Sequence, residues 1–248
     1  MALFAGCARR QDIVTIGIDV GYKPWNYIDA ERGEHVGFDV ELALAACEKV
    51  GVCPVFRQII WDRKKEFLYD GDIDCVWSAF TVTGREDDYA ILGPFAVDSI
   101  VVITRDDSSI TNYAGLAGKT VIVHAGSTCE AIISSGGEAE WLGETLGEII
   151  HVDNMDQCLV ALLNGVADAM VTDSDFMHSY TNDSLCALRL IDEPPLRSEY
   201  IGVGFRKGDT GLRDRFAKAI KELDEEGVCA ELSRKYFGDP GHFHWMGK

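Results

Sequence analysis

Arg85 closes a run of hydrogen-bonding residues, Ser78, Thr81, Thr83 and Arg85, set directly behind the apolar stretch from Ile73 to Trp77. A guanidinium donates two parallel hydrogen bonds to a carboxylate, and neighbouring hydroxyls add to the shell. An arginine just past the carboxyl end of a buried parallel strand therefore suits a carboxylate-bearing ligand. The competing reading is a surface ion pair with Glu86, Asp87 or Asp88. Two further groups bear on the choice. Ser127 and Thr128 follow a second buried strand and open a helix, where unpaired N–H groups and the positive dipole end accept an anion; a plain helix cap uses the same residues. Asp173 ends a third strand, where its carboxylate either meets an ammonium or caps the next helix. Together with Arg85 and Thr81, these residues supply a carboxylate clamp and an ammonium acceptor, the two things an α-amino acid requires.

A frame of strands and helices has to hold these groups. Ile13 to Ile18 alternates and is rich in β-branched residues, an opening strand. It ends at Asp19, before the loop VGYKPWNY, whose Tyr22 and Trp25 are either core lids or pocket walls. Phe38 to Val50 has apolar residues at three-to-four spacing, with Asp39 as a cap at its start and Gly51 at its end. A strand from Val55 to Ile59, then Trp61 and a helix from Arg63 to Tyr69, lead into the Ile73 strand. The order βαβαβ predicts a parallel sheet covered by helices. Ser99 to Thr104 is a further strand. A second αβ series follows: strand Thr120–Val123, a helix from Cys129, strand Ile149–Val152, helix Met155–Asn164 and strand Ala169–Thr172. Strand Tyr200–Phe205 and helices Thr210–Glu225 and Cys229–Phe237 complete the chain. Leu68-x-x-Gly71-x-x-Asp74 is echoed by Leu162-x-x-Gly165-x-x-Asp168, which supports two lobes of like build.

Composition narrows the function. Among 248 residues, 41 acidic against 23 basic give a formal charge of -18, which repels phosphate backbones and argues against nucleic acid. No apolar run approaches the roughly 20 residues of a membrane helix. The eight cysteines form no CxxC pair and no zinc spacing with histidine, so no metal is expected. Cys47 and Cys53 flank one turn and form the only local pair worth considering as a disulfide. GKT at Gly118–Thr120 lacks the earlier glycine of a phosphate loop, and Gly202-x-Gly204 lacks the third glycine of a dinucleotide fingerprint. The tail carries His242 and His244, too sparse for a metal site. Leu3 to Cys7 resembles a truncated lipoprotein box, making Cys7 the expected lipidation site and residues 1–10 a signal remnant and linker.

The segments GIDVGYKPWNY, GFDVELALAACEKVG, GDIDCVWSAFTVTGRE, GPF, GKTVIVHAGST, LLNGVADAMVTD, IGVGFRKGDTGLRDRFAKAIKELDEEG and KYFG cover nearly all of Ile13 to Gly238. In order and spacing they resemble the bacterial extracellular solute-binding proteins of family 3, the polar amino-acid receptors of ABC importers. The resemblance implies an α/β fold of the periplasmic-binding-protein type II. Two lobes, each with a mostly parallel sheet flanked by helices, are joined by a two-strand hinge. Matching positions assign residues 11–100 and 204–248 to lobe 1 and 101–203 to an inserted lobe 2, with the hinge near Asp98–Thr104 and Glu199–Phe205. Arg85 would hold the α-carboxylate, assisted by Thr81 and the N–H of Thr128, while Asp173 and the Ala79 carbonyl would take the ammonium. Tyr22, Trp25 and Trp61 match pocket walls, and Asp19, Ser78 and His124 lie where side-chain specificity is set. Two departures stand out: one residue, where two are frequent, separates Thr83 from Arg85, and one residue fewer separates Cys47 from Cys53 than in members where that disulfide occurs.

A non-enzymatic importer receptor is thus expected, with no cofactor and with permease subunits as partners. It would be monomeric, held outside the cytoplasm by lipid on Cys7 or free in a periplasm. Asp19 and the negative field lean towards a polar or cationic ligand, its stem between Trp25 and Trp61. The alternative is an enzyme resembling the cyclohexadienyl dehydratases of the same fold, with Asp173 as general acid.

Overall fold

A computed structural model describes residues 12–19, 21–181 and 187–247; Cys7, the Leu3–Cys7 segment and Cys186 lie outside them. The opening β-branched run forms β1 (Ile13–Ile18), with Val14, Ile16 and Ile18 buried. A two-residue ribbon, β2 (Tyr27–Ile28) and β3 (His35–Val36), precedes α1 (Phe38–Val50). Next come β4 (Cys53–Gln58), a 3-10 turn at Trp61–Arg63, α2 (Lys64–Tyr69), β5 (Cys75–Thr81) and the long β6 (Tyr89–Arg105). The second series is β7 (Thr120–His124), α3 (Thr128–Ile133), α4 (Glu140–Gly143), β8 (Glu148–Val152), α5 (Met155–Leu163), β9 (Ala169–Asp173) and α6 (Ser174–Thr181). The chain ends with β10 (Leu188–Leu190), β11 (Arg197–Arg206), α7 (Thr210–Glu225) and α8 (Val228–Phe237).

All strands except the ribbon join one mixed sheet in the order β4-β1-β5-β11-β6-β9-β7-β8, with β10 beside β6. Each end is parallel: β4, β1 and β5 in one lobe, β9, β7 and β8 in the other. The two middle strands are antiparallel to each other and belong to both lobes. β11 pairs β5 through Ile201–Phe205, and β6 pairs β9 through Ile100–Thr104. The change of partner therefore falls near Asp98–Ile100 and Glu199–Ile201.

β6 begins ten residues before the expected strand. Gly93 and Pro94 argue against pairing there, since proline cannot donate to a ladder. The register between β6 and β11 shifts at this point, Leu92 facing Val203 and Ala96 facing Ile201, so the bulge takes up the misfit. The echoed motifs have a common function. Arg206, ending β11, donates to the carbonyls of Leu68 and Ile73, and Arg105, ending β6, donates to those of Leu162 and Ala167. Asp74 and Asp168 accept the N–H groups of Thr15 and Thr120 in turn. Each lobe thus secures its helix end to the strand that leads to the other.

One buried cluster, including Ile16, Trp25, Phe38, Trp77, Phe95 and Phe216, packs α1, α7 and α8 on the sheet and runs on to Met170 and Phe176. Val121, Ile132 and Leu142 belong to a second, in lobe 2, and Trp61, Leu68 and Phe80 to a third, under α2. Asp39 does not cap α1. The cap position is Gly37, and the Asp39 side chain turns inward. Cys47, buried, and Cys53, exposed on β4, are both free thiols, so the considered disulfide is absent.

Candidate functional site

The carboxyl end of β5 is irregular. Its register with β11 shifts between Val76 and Phe80, and Ala79 takes a left-handed conformation at φ 42. That conformation is costly for a non-glycine residue. It is held because the Ala79 N–H donates to buried Asp39 Oδ2 at 2.6 Å. Burial raises the Asp39 pKa to about 7 against the opposing pull of this bond. Ser78 Oγ accepts from the Asp19 N–H at 3.0 Å and from Asn26 Nδ2 at 2.7 Å, lashing β5 to β1. Arg85 folds back over the Phe80 ring, 4.7 Å from its centroid, and donates to the Thr81 carbonyl at 3.1 Å. Its second amino group reaches Thr128 Oγ1 of lobe 2 at 3.4 Å. Among the described residues no carboxylate pairs with it, and Asp88 pairs with Lys65 instead. The surface ion-pair reading of Arg85 is therefore excluded.

Lobe 2 faces this edge with the ends of β7 and β9. Ser127 caps α3, its Oγ accepting the Glu130 N–H at 3.2 Å, and Thr128 is the first helical residue. Asp173 ends β9, buried, with the Cys129 thiol 3.9 Å from Oδ2. On β11, Glu199 Oε2 accepts the Thr81 hydroxyl at 2.8 Å, and the Thr128 hydroxyl faces the same carboxyl. Burial pushes the pKa of both carboxyls up, Asp173 well above the usual range with Glu199 adding to the rise, while Thr81, Arg85 and Arg197 oppose it at Glu199.

Between the two edges lies a small cavity. Asp19, Tyr22, Trp61, Ser78, Ala79, Thr81 and Arg85 line it from lobe 1, His124, Ser127, Thr128 and Asp173 from lobe 2. Trp25 does not. It is fully buried, edge-on to Phe38 and Phe237 at 5.4 and 4.9 Å. Backbone bonds between Tyr22 and Asn26 curl the loop so that Tyr22 faces the cavity while Trp25, three residues on, turns to the helices. The expected Trp25–Trp61 sandwich is thus replaced: Trp61 stacks with His124 at 6.3 Å. Sequence reasoning missed Cys129, Met155, Val171, Thr172 and Glu199, which also line the space.

The lobes meet around this cavity. Lys64, buried on α2, donates to the Gly126 carbonyl at 2.7 Å across the cleft and to Trp61 O at 3.1 Å. Burial, with Arg85 nearby, brings its pKa down to about 7. His124 Nε2 stands 3.4 Å from Asp19 Oδ2 of the other lobe. Burial pushes the imidazole down to about 4, and its other nitrogen bonds the Asp153 carbonyl. A neutral imidazole so fixed points a lone pair at a carboxylate, an arrangement that welcomes an inserted N–H donor. Among the described residues no cluster of histidine, cysteine and carboxylates is arranged to hold a metal. His242 stacks on Phe237 and sets Nε2 3.0 Å from Asp175 Oδ2.

The chain is similar to several known proteins. It is 25% identical over 236 residues to the L-cystine-binding protein TcyA of Bacillus subtilis (strain 168), covering 93% of this chain and 83% of that one. Among solved structures, a substrate-binding protein of an ABC uptake transporter from Streptococcus pneumoniae with bound histidine superposes with a TM-score of 0.84 at 28% identity, covering 93% and 94% of the two chains. The arginine-, lysine-, histidine-binding protein ArtJ from Geobacillus stearothermophilus gives 0.80 at 28% identity, covering 92% and 96%. Among the described residues no helix is long and apolar enough to cross a membrane. Residues 14–239 match the sequence pattern of the bacterial extracellular solute-binding proteins, family 3, and the chain belongs to that family.

Proposed function

We propose that the chain is the substrate-binding receptor of an amino-acid ABC importer, enclosing a polar or cationic L-amino acid between its lobes and delivering it to membrane permease subunits. One observation carries the reading: Arg85 from lobe 1 and Asp173 from lobe 2 face one cavity, and neither has an ion partner among the described residues. A zwitterion enters a closed cleft at tolerable cost only when both charges meet opposite, hydrogen-bonding groups. The α-carboxylate takes the Arg85 fork with Thr81 and Thr128, and the α-ammonium takes Asp173 and the Ala79 carbonyl. Ser78 fixes the Asp19 backbone, so its part in selectivity is to place Asp19. The facing acceptors of Asp19 and His124 favour a ligand side chain that donates hydrogen bonds, as histidine, arginine and glutamine do. Relatives named for cystine, histidine and arginine support that range; named for binding, they lend no support to the dehydratase reading. Lipid anchoring at Cys7 and a monomeric state complete the proposal and rest on the sequence alone.

A thermal-shift screen across the twenty amino acids, cystine and ornithine tests it. A ligand at a hundredfold its Kd adds about 2.7 kcal/mol, worth roughly 5–10 °C in a chain of this size. Melting temperatures unmoved by every compound at millimolar concentration would defeat the assignment.

A further inference from the structure

Asp173 and Glu199 flank the same strand: β9 sets Asp173 opposite Ile100 of β6, and β11 sets Glu199 opposite Asp98. The pair straddles the point where β6 passes from one lobe to the other. The two residues are 9% and 1% exposed and line the same cavity, where the Asp173 carboxyl meets that of Glu199. An ionised carboxylate only accepts, so two carboxyls can share a hydrogen bond only when a proton lies between them. Glu199 Oε1 meets no donor among the described residues. On the Asp173 side the donors are the residue's own N–H and the Cys129 thiol, intrinsically weak. Arg85 and Arg197 draw the Glu199 carboxyl down from a distance, but among the described residues neither pairs with it: Arg85 is turned to Thr81 and Thr128, and Arg197 of β11 pairs with Glu138 at 3.4 Å. Asp175 on α6 opposes ionisation of Asp173, and Asp98 on β6 adds to the acidic surroundings felt by the neighbouring Cys129 thiol.

We infer that one proton is held between Asp173 and Glu199 while the cavity is empty, and that the α-ammonium of an incoming amino acid takes its place, so that capture releases a proton to solvent. The inference rests on the receptor reading and adds Glu199 to the ammonium site. A proton-sharing pair carries one negative charge; two carboxylates around one ammonium carry the same. The exchange therefore leaves the field on Asp98 and Asp175 unchanged, while three N–H donors replace one shared proton.

The test is calorimetry of L-arginine, L-glutamine and L-cystine at pH 7 in buffers of different ionisation enthalpy. Wild-type protein should release about one proton per bound amino acid, and its affinity should rise with pH up to the point where the pair loses its proton, by up to tenfold per pH unit. In Glu199→Gln the amide donates permanently to Asp173, so release should fall by about one proton relative to wild type, which separates the pair from Lys64 at the cleft. Infrared difference spectra give an independent readout on the wild type: the carbonyl stretch of a protonated carboxylic acid should disappear when L-arginine is added. Binding with no proton release, with release unchanged in Glu199→Gln, or with no loss of that band would overturn the inference and leave the receptor standing. Absence of binding by all three compounds, together with a flat thermal-shift screen, would remove both.

Discussion

Replacing Arg85 by alanine separates a ligand clamp from a structural arginine because the two roles predict opposite balances. The guanidinium donates to the Thr81 carbonyl at 3.1 Å and approaches Thr128 Oγ1 at 3.4 Å, which leaves most of its five N–H donors uncommitted. An α-carboxylate held by the fork makes two charge-assisted bonds, and deleting one partner of a buried pair costs about 3–5 kcal/mol. The expected rise in Kd is about two to three and a half decades. Ligand-free stability should barely move. The substitution loses the contact over Phe80, 4.7 Å away, worth about 0.5–1 kcal/mol, but also removes a half-buried cation that has no counter-ion. These opposing effects should hold the melting temperature within roughly 4 °C of wild type. Arg85→Lys keeps the charge without the fork and should fall between. Isothermal calorimetry and a ligand-free melt decide the matter. A Kd within threefold of wild type, or a ligand-free melt lowered by more than about 10 °C, would refute the clamp.

Three further outcomes are expected. At Gly126, φ is 69 and an added Cβ would lie 2.4 Å from Asp62 Cα, so Gly126→Ala should block closure, raise Kd at least about tenfold, a cost near 1.4 kcal/mol, and abolish ligand-induced compaction in small-angle scattering; unchanged compaction would show that this loop does not meet the other lobe. Trp25→Ala should destabilise by about 3–5 kcal/mol with little change in the affinity of folded protein, whereas Trp61→Ala should weaken binding; the reverse pattern in paired melts and titrations would return Trp25 to the pocket. Asp39 titrates near 7 folded against 3.8 unfolded, so its contribution is intact below the lower value and is lost as pH rises towards 7, by up to roughly 4 kcal/mol. Urea midpoints should accordingly fall less between pH 5 and pH 8 in Asp39→Asn than in wild type, and equal falls would place the titration elsewhere.

Regular elements were legible in the sequence because their apolar spacing matches their burial: α7 buries Phe216, Ala219, Ile220 and Leu223, and β5 is buried on both faces. The site was legible where strands end, since Arg85, Thr128 and Asp173 follow a strand or close one. What escaped lies where local pattern and tertiary demand disagree. Pro94 hides the first half of β6, which only a bulge opposite β11 permits. Asp39 shares a helical face with Ala43 and Ala46, yet its place in the first turn suggests a cap; its partner, the Ala79 N–H, is 40 residues away. Glu199 left a usable sign. It stands two residues before Ile201, hence on the same buried face of β11, and a charge at an inward strand position is rare without a purpose. Trp25 gave no such sign, because which residue of a curled loop faces a cavity depends on backbone bonds that periodicity does not record.

The arrangement also explains why Arg85 does not simply neutralise the carboxyls across the cavity. Thr81 O and the Phe80 ring hold the guanidinium to lobe 1, while the β6 ladder holds Asp173 and Glu199 on the hinge and lobe 2. Opposite charges are thus kept apart by rigid mounts, each partly desolvated and under-bonded. Closure of an empty cavity worsens both conditions, whereas a zwitterion of matching polarity relieves both at once, which is the differential affinity a population shift towards the closed form requires. A compound lacking either charge leaves one buried ion unmatched. Selection for α-amino acids over simple amines or carboxylic acids then follows from the penalty on the wrong ligand as much as from attraction to the right one.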